Sequence, residues 1–254
     1  MFPEYTLREL MIVAAAREIH DGEVVFTGMR LPLLAFCVAK SLHAPGAIGL
    51  FEVGIVRDTP PPELLYTMSD PPNNRDAVWC TGMLDVMALL ARGYADMAFI
   101  GAAEVDRYGN VNTSYIGDWR HPRIKLPGSG GAADLASLAR RTTVIVDHDR
   151  RRLPARVEYI TSPGYGDGPG WRERVGLPRG GPAAIVTSMG VLGFDPATRE
   201  AVLRSHHPGT TVAEVQANTG WDLRAVPDLA ETPPPTADEL AVIRAYDPEG
   251  HWRT

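Results

Sequence analysis

The sequence predicts an open α/β fold with a mostly parallel sheet and helices on both faces. Three observations predict it. Short apolar runs at residues 47–51, 97–105 and 142–147 are continuous, not alternating, as strands buried on both sides must be. Between such runs lie segments with apolar residues at helical spacing, several opened by a Thr-x-x-Glu capping signal. The run 24–27 stops at Gly28 and leads straight into a helical pattern, which is the opening of a βαβ unit.

Each element has its own reason. Thr6 with Glu9 forms a capping box, and Leu7, Leu10, Met11, Ala14 and Ile19 recur at helical spacing. Pro32 suits the first turn of a helix over residues 31–43. Strand 47–51 follows. Residues 57–76 carry Pro60, Pro61, Pro62, Pro71 and Pro72, so a long irregular excursion is expected there. A helix over 83–92 offers Met83, Val86, Met87 and Leu90 as one apolar face, with the methionines read as core packing. Strand 97–105 leads to a turn at 106–112, and a helix over 132–140 follows the glycine-rich loop 128–131. Strands are expected at 142–147 and 156–161, a Gly- and Pro-rich loop at 163–182, and a hairpin over 183–194 closed near Gly190. Thr211 with Glu214 and Thr236 with Glu239 open two last helices. The reading is one α/β domain over 1–254, with a C-terminal helical extension at about 228–254.

Composition excludes several classes. With 254 residues, 44% apolar and 22% charged, the chain can bury a sizeable core. A net charge of −6 argues against a nucleic-acid partner, which needs a clustered basic excess. Two cysteines, Cys37 and Cys80, form no zinc-type cluster, and Cys37 sits in an apolar run, so a reducing cytoplasm is expected. The N-terminus has no signal-peptide pattern, and no run approaches the roughly 18 to 20 apolar residues of a membrane span. Adjacent residues Asp147, His148 and Asp149 would point to opposite faces of a strand, so no metal site is expected and His148 reads as structural.

The chemistry is expected at Glu52. Strand 47–51 delivers this carboxylate and a glycine turn follows at Gly54, the place where open α/β sheets bind ligands. Flanking Phe51 and Val53 are expected to strip its hydration, which suits a base or nucleophile. Glu104, at the end of a similar strand, reads as a structural hydrogen-bonding group because Ala102 and Ala103 before it suggest tight packing. The loop Gly128-Ser129-Gly130-Gly131 opens a helix and stands near Arg120, Arg123 and Lys125, a combination that can hold an anion.

These residues carry a resemblance. Phe51-Glu52-Val53-Gly54 matches the Ser-Glu-Asn-Gly motif of the β subunit of class I coenzyme A transferases, whose glutamate is the nucleophile. Gly28-Met29-Arg30-Leu31-Pro32, Gly101-Ala102-Ala103-Glu104-Val105, the run from Gly128 to Leu135, and Thr211 to Trp221 match further family segments in order, over residues 24–226. The resemblance implies an α/β fold, a homologous α subunit, an α2β2 heterotetramer, and an acyl-CoA substrate with no tightly bound cofactor. It implies substrate, coenzyme A or oxyanion contacts at Gly28, Arg30, Gly54, Gly101, Ala102, Arg120, Arg123, Lys125, Gly128, Gly130 and Gly131. Because Phe51 and Val53 replace the motif's Ser and Asn, the chain most resembles an actinobacterial branch of hydrolases that open the last ring of steroid-derived acyl-CoA. Transfer of coenzyme A through a glutamyl thioester is the alternative, and a non-catalytic scaffold is the second.

Overall fold

The computed structural model describes residues 4–254, which fall into two compact units. One comprises Met1–Phe99 and Pro234–Thr254, the other Ile100–Pro233.

The first unit opens with helix α1 (Leu7–Ala16), whose capping box closes as expected: Glu9 N donates to Thr6 Oγ1 at 3.1 Å and Thr6 N to Glu9 Oε2 at 2.8 Å. Strand β1 (Val24–Phe26), helix α2 (Leu31–Leu42) and strand β2 (Ile48–Phe51) then form the βαβ unit, with β1 and β2 parallel. Strand β3 (Ile55–Arg57) turns back antiparallel to β2, β4 (Trp79–Cys80) pairs with β3, and helix α3 (Met83–Ala91) leads to β5 (Met97–Gly101), parallel to β1. The strand order is β5-β1-β2-β3-β4.

Two expectations fail in this region. Only Val86 and Leu90 of α3 are buried, whereas Met83 is exposed and its role as core packing is withdrawn. The continuous run 97–105 breaks after Gly101, so one expected strand becomes two. The irregular excursion after β3 is present, with only one 3₁₀ turn (Pro71–Asn73), and its order comes from Arg57. This arginine is fully buried, and its guanidinium donates to the carbonyls of Thr59, Pro60, Asn73 and Arg75 at 2.5 to 3.2 Å. A proline-rich segment has few N–H groups to form a ladder, so its carbonyls are collected by one side chain instead.

The second unit continues with β6 (Glu104–Val105) and β7 (Val111–Asn112), an antiparallel hairpin, then β8 (Tyr115–Gly117) and β9 (Pro122–Lys125), a second one. Helix α4 (Ala132–Leu138) precedes β10 (Arg141–Val146), and a short helix α5 (Trp171–Arg174) lies inside the Gly- and Pro-rich loop. Here Arg172 repeats the role of Arg57, donating to the carbonyls of Gly164, Ala136 and Arg179. Strand β11 (Pro182–Thr187) runs parallel to β10, and β12 (Gly190–Phe194) forms the expected hairpin with it.

Strand β13 (Ala201–His206), helix α6 (Val212–Ala217) and strand β14 (Ala225–Glu231) complete this unit, in the order β14-β13-β12-β11-β10. The sequence reading missed β13 and β14. Pro227 disguises β14, and the ladder accommodates it by a register shift on an outer strand. The strand expected at 156–161 is absent. Its backbone is held instead by Val157 N donating to Asp106 Oδ2 and Thr161 N to the Val111 carbonyl, while Tyr159 and Ile160 stay exposed.

The chain returns to the first unit with α7 (Ala237–Tyr246), capped by Thr236 and Glu239 as expected. Its Arg244 donates to the buried carboxylate of Glu9 at 2.9 Å, and Arg17 of the α1 C-cap bonds Glu239. The expected extension at 228–254 is therefore a strand end followed by this helix and a short tail.

Candidate active site

Glu52 stands in the three-residue connection between β2 and β3. Phe51 and Ile55 face each other across the hairpin, and Gly54 N donates to the Phe51 carbonyl at 3.0 Å. Gly54 has φ of +107°, and a Cβ there would lie 2.1 Å from the Thr81 carbonyl oxygen. Only glycine fits. Thr81 N donates to the Gly54 carbonyl at 2.8 Å, so the turn is clamped to the segment before α3.

The alternation of the strand sends Phe51 into the core, edge-on to Phe36, and Val53 packs against the cluster formed by Leu33, Cys37, Phe51, Ile55 and Leu65. These neighbours therefore turn away from the carboxylate instead of enclosing it. Glu52 is half-buried, and among the described residues its carboxylate has no hydrogen-bond or ion-pair partner. A carboxylate held in place by backbone but left unpaired can act as a nucleophile or a base.

Gly28 and Arg30 come to the same end of the β1–β2 pair. Thr27 N donates to the Leu50 carbonyl, and the register that pairs Phe26 with Leu50 sets Gly28 level with Glu52. Among the described residues the Gly28 N–H has no acceptor. Arg30 adopts φ of +64° without being glycine, a conformation costing about 1 to 3 kcal/mol that the surroundings must hold. Its guanidinium lies over the Trp252 ring, 5.0 Å from the centroid, and Trp252 Nε1 donates to the Leu65 carbonyl.

The remaining expected residues belong to the second unit or its boundary. Gly101 is exposed at the end of β5, with Ala102 next to it. Arg120 is exposed and stacks on Trp119, and Lys125 is exposed on β9. Gly128 and Gly130 have φ of +98° and +49°, and Gly131 caps α4. The anion reading of this loop loses force in two ways: Gly128 N already donates to the Thr113 carbonyl, and α4 has seven residues, not the nine expected. Arg123 departs from Arg120 and Lys125. It lines a cavity of about 500 Å³ with Glu104, Arg151 and Arg152.

Glu104 is buried, and Asn112 Nδ2 donates to its Oε2 at 2.8 Å, which is the hydrogen-bonding role the sequence suggested. Burial pushes its carboxyl up, against the pull of Asn112 and Arg123. What the sequence reading missed is the cavity beside it, since Arg151 and Arg152 lie 47 and 48 positions further on. His148 is structural as expected, bonded to Thr187 and Thr219. The described residues contain no group of His, Cys, Asp and Glu able to hold a metal ion, and no helix among them is long and apolar enough to cross a membrane. Cys37 is buried and free, Cys80 exposed and free.

The family model for coenzyme A transferase matches residues 8–218. The chain belongs to the coenzyme A transferase family. It is 36% identical over 245 residues to one of the two kinds of subunit, the β type, of the 3-oxoadipate CoA-transferase of Pseudomonas knackmussii, covering 96% of this chain and 94% of that one. The crystal structure of glutaconate coenzyme A-transferase from Acidaminococcus fermentans has the same fold, with a TM-score of 0.93, 34% identity, and coverage of 99% of this chain and 98% of that one. The cholesterol ring-cleaving hydrolase IpdB subunit of Mycobacterium tuberculosis is 30% identical, with 96% of both chains covered. Membership makes this an acyl-CoA-processing chain, and the higher identities fall on transferase subunits, not on the hydrolases that the replacement of Ser and Asn by Phe51 and Val53 suggested.

Proposed function

We propose that the chain is the β subunit of a two-subunit coenzyme A transferase in which Glu52 is the nucleophile. The observation that carries the reading is the carboxylate itself: unpaired, half-buried, and fixed at a strand end by a turn that only Gly54 can make. The 36% identity to two transferase β subunits supports the reaction class and a homologous α subunit as partner, with an α2β2 assembly as the simplest arrangement.

The ionised Glu52 attacks the thioester carbonyl and expels coenzyme A as its thiolate, leaving a mixed anhydride. The thiolate then attacks the glutamyl carbonyl, which releases the first acid and leaves a glutamyl-CoA thioester. A second carboxylate reverses both steps and departs with the coenzyme. Each addition puts negative charge on an oxygen, and the unsatisfied N–H of Gly28, level with Glu52, is a suitable donor to it. The N–H of Gly54 is spent on the Phe51 carbonyl and serves the turn. Arg30 binds acyl or coenzyme atoms beside Glu52. Gly101 and Ala102 allow close approach of the thioester, and Arg120, Lys125 and the loop of Gly128, Gly130 and Gly131 meet the phosphates of coenzyme A.

The 30% identity to the M. tuberculosis subunit supports a second reading, in which Glu52 acts as general base on water during ring opening. The two are separated in the co-expressed complex. Glu52→Gln is expected to lower turnover at least about a thousandfold with assembly intact. In the wild type, mass spectrometry is expected to find a coenzyme A adduct on Glu52, with product formation dependent on an acceptor acid. Turnover without an acceptor and without an adduct would support the hydrolase. Full activity of Glu52→Ala would leave the chain as a scaffold.

A further inference from the structure

The cavity beside Glu104 has a composition that the proposed transfer chemistry does not use. Its floor is Glu104, hydrogen-bonded to the buried Asn112, whose Nδ2 also donates to the Tyr115 carbonyl. Asn112 Oδ1 accepts from Ser114 N at 3.0 Å, so the floor is fixed from both sides of the β7–β8 connection. Its walls are apolar, formed by Ala103 and by Ile116, Ile124 and Leu126 of the β8–β9 hairpin. Its rim carries three guanidinium groups, from Arg123, Arg151 and Arg152, against the single carboxylate of Asp149.

Asp149 occupies part of that charge, lying 3.2 Å from Arg152 Nε and 3.6 Å from Arg151 Nε. Among the described residues no carboxylate forms an ion pair with Arg123. Only one oxygen of Glu104 is engaged by Asn112, and its other oxygen is available to the cavity. Burial favours the neutral form of this carboxyl, which has a proton to donate. Neighbouring charges pull both ways, with Glu158 favouring the neutral form and Arg123 the ionised one.

We infer that this cavity is a binding site for a free short-chain carboxylic acid, its carboxylate held by Arg123 and the Glu104 carboxyl and its alkyl chain lying along Ile116, Ile124 and Leu126. A planar guanidinium matches a carboxylate in two parallel hydrogen bonds, and the apolar walls give an alkyl chain somewhere to be buried. An inorganic phosphate would use the cations and leave the walls unfilled. A neutral amide would use the walls and leave Arg123 unpaired. The site stands apart from the proposed role of Glu52, so it is to be tested in a Glu52→Gln background, where failure of the transfer reading cannot disturb the result.

The test is calorimetric titration of the co-expressed complex with hexanoate, hexanamide and inorganic phosphate. Hexanoate is expected to bind at least about tenfold more tightly than either of the others, the margin of one charge-assisted contact. Arg123→Gln is expected to weaken hexanoate about tenfold. Glu104→Gln, which keeps the shape and a donor, is expected to stay within about twofold, whereas Glu104→Ala loses the donor and weakens binding. Ile124→Asp is expected to weaken hexanoate much more than acetate, and it sits on an exposed strand where folding is not at stake. Equal binding of phosphate and hexanoate, no measurable hexanoate binding, or hexanoate binding unchanged in Arg123→Gln overturns the assignment.

Discussion

Glu52 and Glu104 both follow a strand and a small-residue turn in the sequence, yet the structure treats them in opposite ways. Glu52 is held by its backbone and left unpaired at its carboxylate; Glu104 is held by its carboxylate, through Asn112, and faced by arginines. The difference shows how one fold separates reacting from holding. A nucleophile needs its lone pairs free and its position imposed from elsewhere, which the glycine clamp at Gly54 supplies. A binding group needs its own hydrogen bonds satisfied in advance, so that little ordering remains when the ligand arrives.

The largest effect is expected from breaking the clamp. Gly54→Ala places a methyl group against the Thr81 carbonyl and forces a side chain into φ of +107°. The turn must shift, and a shift of about 1 Å at a catalytic group costs about a hundredfold in rate. Steady-state kinetics of the assembled enzyme is the check. A Gly54→Ala enzyme within about threefold of wild type would show that the position of Glu52 is not set by this turn.

The second way to sharpen the comparison is acid. The second unit buries His148 and His207, and burial pushes both down to about 4. Unfolded histidine titrates near 6.5, so between those values the unfolded chain binds more protons than the folded one, and stability falls as pH falls. The loss begins near pH 6.5, reaches roughly 3 kcal/mol for each ring near pH 4, and then stops growing. Glu104 and Asp106, raised by burial, work against it in the carboxylate range. In the first unit the sensitive group is Glu9: burial raises it, but Arg244, the Thr6 N–H and Arg253 hold it lower overall. Its contribution is present above the ordinary carboxylate value and is lost only below it. Hydrogen exchange at a series of pH values is therefore expected to show β10–β12 losing protection first and α1–α7 later. Simultaneous loss would refute the ordering.

How much of this was legible in the sequence follows from the range of each interaction. Capping boxes at Thr6, Thr211 and Thr236 span three residues and are found by inspection. The same is true of the strand that delivers Glu52 and the glycine that turns after it. Two things stayed out of reach. The exposure of Met83 depends on what α3 packs against, which local spacing does not encode. The order of residues 57–76 depends on Arg57, a charged residue in a β-strand that reads as solvent-facing until its donors are seen to meet the carbonyls of a segment rich in proline. Pro227 hid β14 for the reverse reason: a local rule against proline in strands gave way to an outer position with a register shift. At the site, Gly28 and Glu52 were each legible, but their common level came from the β1–β2 register.

The smallest effect tests the other half of the comparison, the prior satisfaction of Glu104. Asn112→Ala removes the donor to Glu104 Oε2 and to the Tyr115 carbonyl, as well as the acceptor of the Ser114 N–H. Buried polar groups left without partners cost about 1 to 3 kcal/mol, which a urea midpoint can resolve when the slope is unchanged. Because the Asn112 hydrogen bond lowers the Glu104 carboxyl against its burial, the variant is also expected to raise that carboxyl further, in a direction a carboxyl-carbon NMR titration reads directly. Asn112→Asp separates the two contributions: it keeps the acceptor for Ser114 but sets a second carboxyl beside Glu104, so it is expected to raise the Glu104 titration at least as far as the alanine variant. If neither substitution moves that titration, Asn112 is not what readies Glu104, and the contrast with Glu52 reduces to a difference in burial alone.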